Sequence, residues 1–183
     1  MKIILASASP RRQELLKLAG FSFEVIPANI DETPDPSYAP KQLVCTLAEQ
    51  KCEFIHNTMP NEIVLGADTI VVIDGLILGK PSDEAEAFGM LKRLQGRQHT
   101  VYTGVNIRSL QKSVSFVEST KVYMRSLSDK EIYEYIATKE PMDKAGSYGI
   151  QERGATLIER IEGDYFTVVG LPLCRLSLAL KEF

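Results

Sequence analysis

The sequence predicts an α/β protein, with a mixed β-sheet flanked by helices and two lobes around a central cleft. Three observations carry this reading. Residues 63 to 73 are nearly continuous β-branched and aliphatic sequence, which suits a strand better than a helix. Segments with helical periodicity and legible caps are interleaved with strand-like segments along the chain. Two long alternating stretches, residues 99 to 108 and 114 to 124, read as antiparallel partners, so the sheet is mixed.

Taken in order, residues 3 to 6 form a short buried strand. Ser9 is an N-cap and Pro10 the first residue of a helix that runs to Ala19 and stops at Gly20. Residues 21 to 27 form a second strand, the acidic, proline-bearing residues 31 to 36 a loop, and a helix runs from about Pro40 to His56. Asp74-Gly75 turns the strand at 63 to 73 into Leu76-Ile77-Leu78 as a hairpin. Ser82 caps the next helix, whose Asp83, Glu84 and Glu86 near the start and Lys92 and Arg93 near the end complement the helix dipole before Gly96. Ser128-Asp129-Lys130-Glu131 has the spacing of a capping box and opens a helix to about Thr138. Residues 156 to 161 and 165 to 169, joined by Glu162-Gly163-Asp164, form a further hairpin, and a last helix follows Pro172. With no internal repeat, low-complexity tract or linker, residues 1 to 183 read as a single domain.

Composition narrows the function. A chain that is 44% hydrophobic can bury a core, and its net charge of -3 argues against a general affinity for nucleic-acid polymers or acidic membranes. Any anion site must therefore be local. The three cysteines, Cys45, Cys52 and Cys174, are odd in number and lack Cys-x-x-Cys spacing, which fits reduced thiols rather than a disulfide framework or thiolate metal site. No secretory leader pattern or apolar run long enough to span a membrane is present, so a cytoplasmic location is expected. Two histidines in unrelated places, His56 and His99, do not suggest a zinc site.

The chemistry begins at Ser7-Ala8-Ser9-Pro10-Arg11-Arg12. The first N–H groups of the Ser9 helix lack intrahelical acceptors, and Arg11 and Arg12 add positive charge where the dipole already favours an anion. Such basic residues cost about 0.3–1 kcal/mol unless something negative offsets them. A phosphate-bearing ligand would do so, as would Glu14 or a more distant carboxylate. Ser7 is a further phosphate donor or a turn residue. Asp68 interrupts an apolar run in which an ionised carboxylate is rarely buried unless paired or functional. General base and metal ligand are both open to it, as is a structural role bonded to backbone amides. Lys51 interrupts an otherwise apolar helix face made by Val44, Leu47, Ala48 and Ile55, and Lys80 follows the hairpin in Gly79-Lys80-Pro81. Snorkelling and simple exposure are the alternatives for these lysines.

Together, Arg11, Arg12, Lys51 and Lys80 can offset a polyphosphate carrying roughly one negative charge per inner phosphate and about -1.5 to -2 at its end. Asp68 and Glu32 can hold a hard divalent cation that also touches the phosphates. The chain contains neither a Gly-x-x-x-x-Gly-Lys-Ser/Thr loop nor a Gly-x-Gly-x-x-Gly after a strand, which weakens P-loop and dinucleotide readings.

These residues resemble the Maf-type nucleotide pyrophosphatases, also called septum-formation inhibitor proteins. The resemblance spans essentially the whole chain: Ser7-Ala8-Ser9-Pro10-Arg11-Arg12, Gly66-Ala67-Asp68-Thr69, Gly79-Lys80-Pro81 and Gly170-Leu171-Pro172 occur in the family's order and spacing. It implies a long curved sheet with a cleft between two lobes, and hydrolysis of a nucleoside triphosphate to the monophosphate and pyrophosphate with a divalent cation, Mg2+ or Mn2+. The segment Glu140-Pro141-Met142-Asp143-Lys144-Ala145-Gly146-Ser147-Tyr148-Gly149-Ile150-Gln151 and the arginine pair directly after Pro10 are similar to the branch acting on dTTP and UTP rather than on 7-methyl-GTP. By the resemblance, Asp68 is the proton acceptor, and Arg12, Thr69 and Gln151 occupy positions that mark substrate choice. Ser7, Arg11, Glu32, Lys51 and Lys80 line the cleft. Homodimers and a role in cell-division arrest are further implications. A non-catalytic nucleotide sensor acting on septum formation and a 7-methyl-GTP pyrophosphatase are the alternative functions.

Overall fold

The computed structural model describes residues 2–33 and 37–183. Its elements run β1 (Lys2–Leu5), α1 (Pro10–Leu18), β2 (Ser22–Val25), α2 (Pro40–His56), β3 (Ile63–Ile73), β4 (Leu76–Leu78), α3 (Glu84–Leu94), β5 (Gln98–Arg108), β6 (Ser113–Met124), α4 (Asp129–Ala137), β7 (Ile158–Glu162), α5 (Tyr165–Val169) and α6 (Leu173–Leu180). Short 3-10 turns at Glu140–Asp143, Ala145–Ser147 and Glu152–Leu157 lie between α4 and β7. One seven-stranded sheet has the order β2-β1-β3-β5-β6-β7, with β4 paired to β3. β1 runs parallel to β2 and β3, whereas the β3–β4 and β6–β7 pairs are antiparallel. The sheet is mixed, as the sequence predicts. Asp31, Glu32 and Thr33 have no regular structure, consistent with the expected loop, whose residues 34–36 lie outside the described residues.

The chain divides into two compact units, Met1–Thr69 with Thr103–Glu118 and Gly170–Phe183, and Ile70–Tyr102 with Ser119–Val169. In the first unit, β3 is buried without a break from Val64 to Asp68, as its nearly continuous apolar sequence leads one to expect. Helix α2 covers it with Leu43, Val44, Leu47, Ala48, Lys51, Cys52 and Ile55. The approach is close enough to require glycine. A Cβ at Gly66 would lie 2.3 Å from the Ala48 carbonyl oxygen, and one at Gly104 2.3 Å from that of Val44. Asp68 follows Gly66 on the same strand face, and Lys51 follows Ala48 on the same helix face, so this contact places the two charges opposite each other. The three cysteines are free thiols, and burial pushes Cys52 up to about 12.

The second unit packs α3 and α4 through Leu91, Leu94, Ile132 and Ile136 against Ile73 and Val101 of the strands. Asp74 and Gly75 both adopt positive φ, 52° and 76°, as a tight two-residue hairpin turn demands. The Ser128 capping box is complete, with Glu131 N donating to Ser128 Oγ and Ser128 N donating to Glu131 Oε2. His99 is buried in this unit, with its Nε2 2.6 Å from the Tyr148 hydroxyl. Burial lowers its pKa from the ordinary 6.5 to about 4. Between these values only the unfolded chain takes up the proton, so acid favours unfolding by up to about 3 kcal/mol across that window. Thermal melts of wild type and His99→Gln from pH 7 to pH 4 are expected to show a shallower loss of stability in the variant.

Two local expectations are corrected. Residues 165 to 169 are not the second strand of a hairpin but helix α5, and β7 pairs with β6 instead. Asp164 explains the change: its Oδ2 accepts from Thr167 N at 2.7 Å and Thr167 Oγ1 at 2.8 Å, an N-cap that outweighs the strand propensity of the β-branched run. The cap of α3 is Asp83, which accepts from Glu86 N at 2.8 Å. Ser82 instead donates through its backbone N and Oγ to Glu86 Oε2, both at 2.7 Å.

Candidate active site

The end of β1 runs into Ala6-Ser7-Ala8, and Ser9 then caps α1 with Pro10 in its first turn. Helical spacing turns Arg12, Leu15 and Leu16 inward, so Arg12 is buried rather than displayed to solvent. Its guanidinium is used on three sides. Nε donates to the Gly170 carbonyl at 2.9 Å, Nη1 to Ser7 Oγ at 3.0 Å and Nη2 to Thr69 Oγ1 at 3.1 Å. Thr69 Oγ1 also lies 2.9 Å from Thr103 Oγ1, a hydroxyl on a fully buried residue of β5. One planar arginine thus joins four chain segments, which a point-charged lysine could not do. Burial draws the Arg12 pKa below its ordinary value, with the Asp68 charge opposing that and the Arg11 charge adding to it.

Beside this network lies a second cluster. Lys51, on α2, places Nζ 2.6 Å from Asp68 Oδ1 and 3.1 Å from Glu32 Oε2. Lys51 and Asp68 are both buried, while the Glu32 side chain is 50% exposed. One ammonium between two carboxylates leaves the group formally anionic. The two carboxylates could hold a hard cation there, and the positive charge of Arg12 and Arg11 lies nearby. The donors are hard oxygens on convergent side chains, which suits Mg2+-type ions that take one or two carboxylates and fill the remaining positions with water and substrate phosphates. Among the described residues no group of three or more His, Cys, Asp or Glu side chains is arranged to hold a metal.

Ser7, Arg11, Arg12, Glu32, Lys51, Asp68 and Thr69 therefore all lie in the first unit. The structure joins Ser7, Arg12 and Thr69 in one network, and Glu32, Lys51 and Asp68 in another. Lys80 and Gln151 belong to the second unit, Lys80 exposed after β4 and Gln151 half-buried at the start of the Glu152–Leu157 turn. Sequence reasoning missed two participants. Thr103 was signalled only by a hydroxyl inside a strand-like run, and the Gly170 carbonyl by a Gly-Leu-Pro motif that carried no role of its own. Among the described residues no helix is long and apolar enough to cross a membrane.

The fold and these two clusters define an α/β protein with a polar, partly buried acid–lysine–acid centre. Its backbone resembles that of the Staphylococcus aureus Ham1 protein, with a TM-score of 0.54, 15% identity and coverage of 100% of this chain and 98% of that one, a likeness of fold. The sequence profile of the Maf-like protein family matches residues 2–183, and the chain belongs to that family. Relatives named dTTP/UTP pyrophosphatase, from Bacillus mycoides and Bacillus cytotoxicus, are 52% and 53% identical over 182 residues, covering 100% of this chain and 95% of each relative. A Bacillus cereus protein of the same name is 53% identical with the same coverage. Membership of a pyrophosphatase family suggests metal dependence in general.

Proposed function

We propose that this protein is a nucleoside triphosphate pyrophosphatase that hydrolyses dTTP and UTP to the monophosphate and pyrophosphate, with residues 1 to 183 working as a single domain. The observation that carries the reading is the buried Lys51 ammonium held between Asp68 and Glu32. Attack on a phosphoanhydride needs charge neutralisation, positioning and an activated water more than a protein nucleophile. In the proposed reaction, water oxygen bonds to phosphorus, the α–β bridge breaks and pyrophosphate leaves. Lys51 engages Asp68 through Oδ1, and Oδ2 would take the water proton or hold the cation. Glu32 and Asp68 would hold Mg2+ or Mn2+, which supplies further neutralisation of the phosphates. Ser7, Arg11, Arg12 and Lys80 would bind those phosphates.

Base choice falls to Thr69 and Gln151, each able to donate and accept as the O2, N3–H and O4 edge of uracil or thymine requires. Arg12 donates to Thr69, so it acts on substrate choice through that hydroxyl as well as on charge. The reading places the enzyme at a cytoplasmic nucleotide pool, and a size measurement in solution checks the homodimer implied by the resemblance.

A panel of UTP, dTTP, CTP and 7-methyl-GTP with Mg2+ or Mn2+ tests the assignment by product analysis. UTP and dTTP are expected to give the monophosphate and pyrophosphate at a kcat/KM at least about tenfold above that for CTP, the loss expected where a site's hydrogen bonds are left unpaired. Pyrophosphate release from 7-methyl-GTP but not from UTP or dTTP would overturn it.

A further inference from the structure

Gln151 sits in an irregular stretch of the second unit whose backbone is unusual. Lys139, Ser147 and Glu152, none of them glycine, adopt φ values of 64°, 61° and 54°. Such conformations persist when surrounding contacts over-determine them, and they concentrate where geometry serves function. The contacts converge on Glu140. Its Oε1 accepts from the Tyr135 hydroxyl at 2.9 Å and from Gly154 N at 3.0 Å, and its Oε2 accepts from Arg153 N at 3.2 Å. Tyr135, on α4, accepts in turn from Gly149 N at 3.2 Å. Lys144 Nζ donates to the Glu140 carbonyl at 2.6 Å. The chain closes tightly on itself here, since a Cβ at Gly154 would lie 2.0 Å from the Gly149 carbonyl oxygen. The amides bound by the Tyr135–Glu140 pair, Gly149 on one side and Arg153 and Gly154 on the other, bracket Gln151 in sequence.

We propose that Glu140 is a positioning residue for substrate choice: its carboxylate, with Tyr135, braces residues 149 to 154 so that Gln151 presents its amide in a fixed orientation to the pyrimidine. This rests on the reading of Gln151 as a base-contacting residue. Glu140 touches no reacting atom. A carboxylate suits the task because it accepts several N–H and O–H bonds at once and donates none.

The test uses the full chain with Mg2+ and compares UTP with CTP for wild type, Gln151→Ala, Glu140→Ala, Glu140→Gln and the double variant Glu140→Ala/Gln151→Ala. Glu140→Ala is expected to reproduce the Gln151→Ala loss in kcat/KM for UTP, about 10- to 100-fold and chiefly in KM, with the UTP-to-CTP ratio flattened. The double variant should be no worse than the single ones, because both remove the same contact. Glu140→Gln keeps one acceptor oxygen and should fall between wild type and Glu140→Ala, and it carries the test if Glu140→Ala does not fold. Amide exchange at Gly149, Arg153 and Gly154 should accelerate in the Glu140 variants. Wild-type KM and ratio in folded Glu140 variants would overturn the brace while leaving the reading of Gln151 standing, and so would additive losses in the double variant. An unchanged ratio in Gln151→Ala would overturn the reading of Gln151 and the brace with it.

Discussion

Asp68→Asn is expected to lower kcat for UTP by about 10²–10⁴-fold while leaving UTP binding measurable, the range that a positioned acid or base supplies. The substitution keeps the shape of the side chain. Its amide oxygen can still accept from Lys51 Nζ, now 2.6 Å from Oδ1, so the buried lysine keeps a partner there and a second one in Glu32. Weakening one charge-assisted hydrogen bond costs about 1–3 kcal/mol. In a chain of this size that lowers the melting midpoint by roughly 2–12 °C. Single-turnover kinetics and nucleotide binding by calorimetry separate the two effects. Turnover at the wild-type rate would remove Asp68 from the chemistry, and a chain that no longer folds would make it a structural aspartate.

Lys51→Met is expected to act on both stability and rate. It removes the ammonium between Asp68 and Glu32 and so breaks the ion pair of the buried Asp68 carboxylate. Breaking a buried pair by removing one partner costs about 3–5 kcal/mol. The exposed side of Glu32 lets water screen part of that, so the lower end of the range is expected here. Removing the Asp68 charge as well should restore part of the loss, so Lys51→Met/Asp68→Asn melts above Lys51→Met in a double-mutant cycle. Activity with UTP should fall about 10²-fold or more, because charge stabilisation and the orientation of Asp68 are lost together. A Lys51→Met protein that melts at the wild-type temperature and hydrolyses UTP at the wild-type rate would show the cluster to be incidental.

Much of the framework was legible because local chemistry decides it. The bounds of α2 and β3 agree with the sequence reading at both ends, since Pro40 starts a helix where its missing N–H is harmless and the β-branched run ends at an Asp-Gly turn. The capping box at Ser128 was equally local. Where a cap and a propensity disagreed, the reading failed: the run from Tyr165 to Val169 looks like strand, but Asp164 captures the Thr167 amide and starts a helix. One hydrogen-bonded cap on a short segment outweighs a propensity of comparable size.

The chemical residues divide in the same way. Asp68 and Lys51 could be singled out from sequence because a charge inside an apolar pattern is costly wherever the chain folds, and Arg12 because a positive charge at a helix N-terminus opposes the dipole. Their partners could not. Lys51 meets Asp68 because Gly66 and Gly104 admit α2 to within contact of the sheet, and Arg12 reaches Ser7, Thr69 and the Gly170 carbonyl because β1, β3 and the end of the chain converge. Sequence by itself determined which residues are out of place in a core, and hence which must be paired or used. Only the tertiary structure decided the pairing, because contacts between residues far apart in the chain depend on backbone approach distances that local periodicity does not encode.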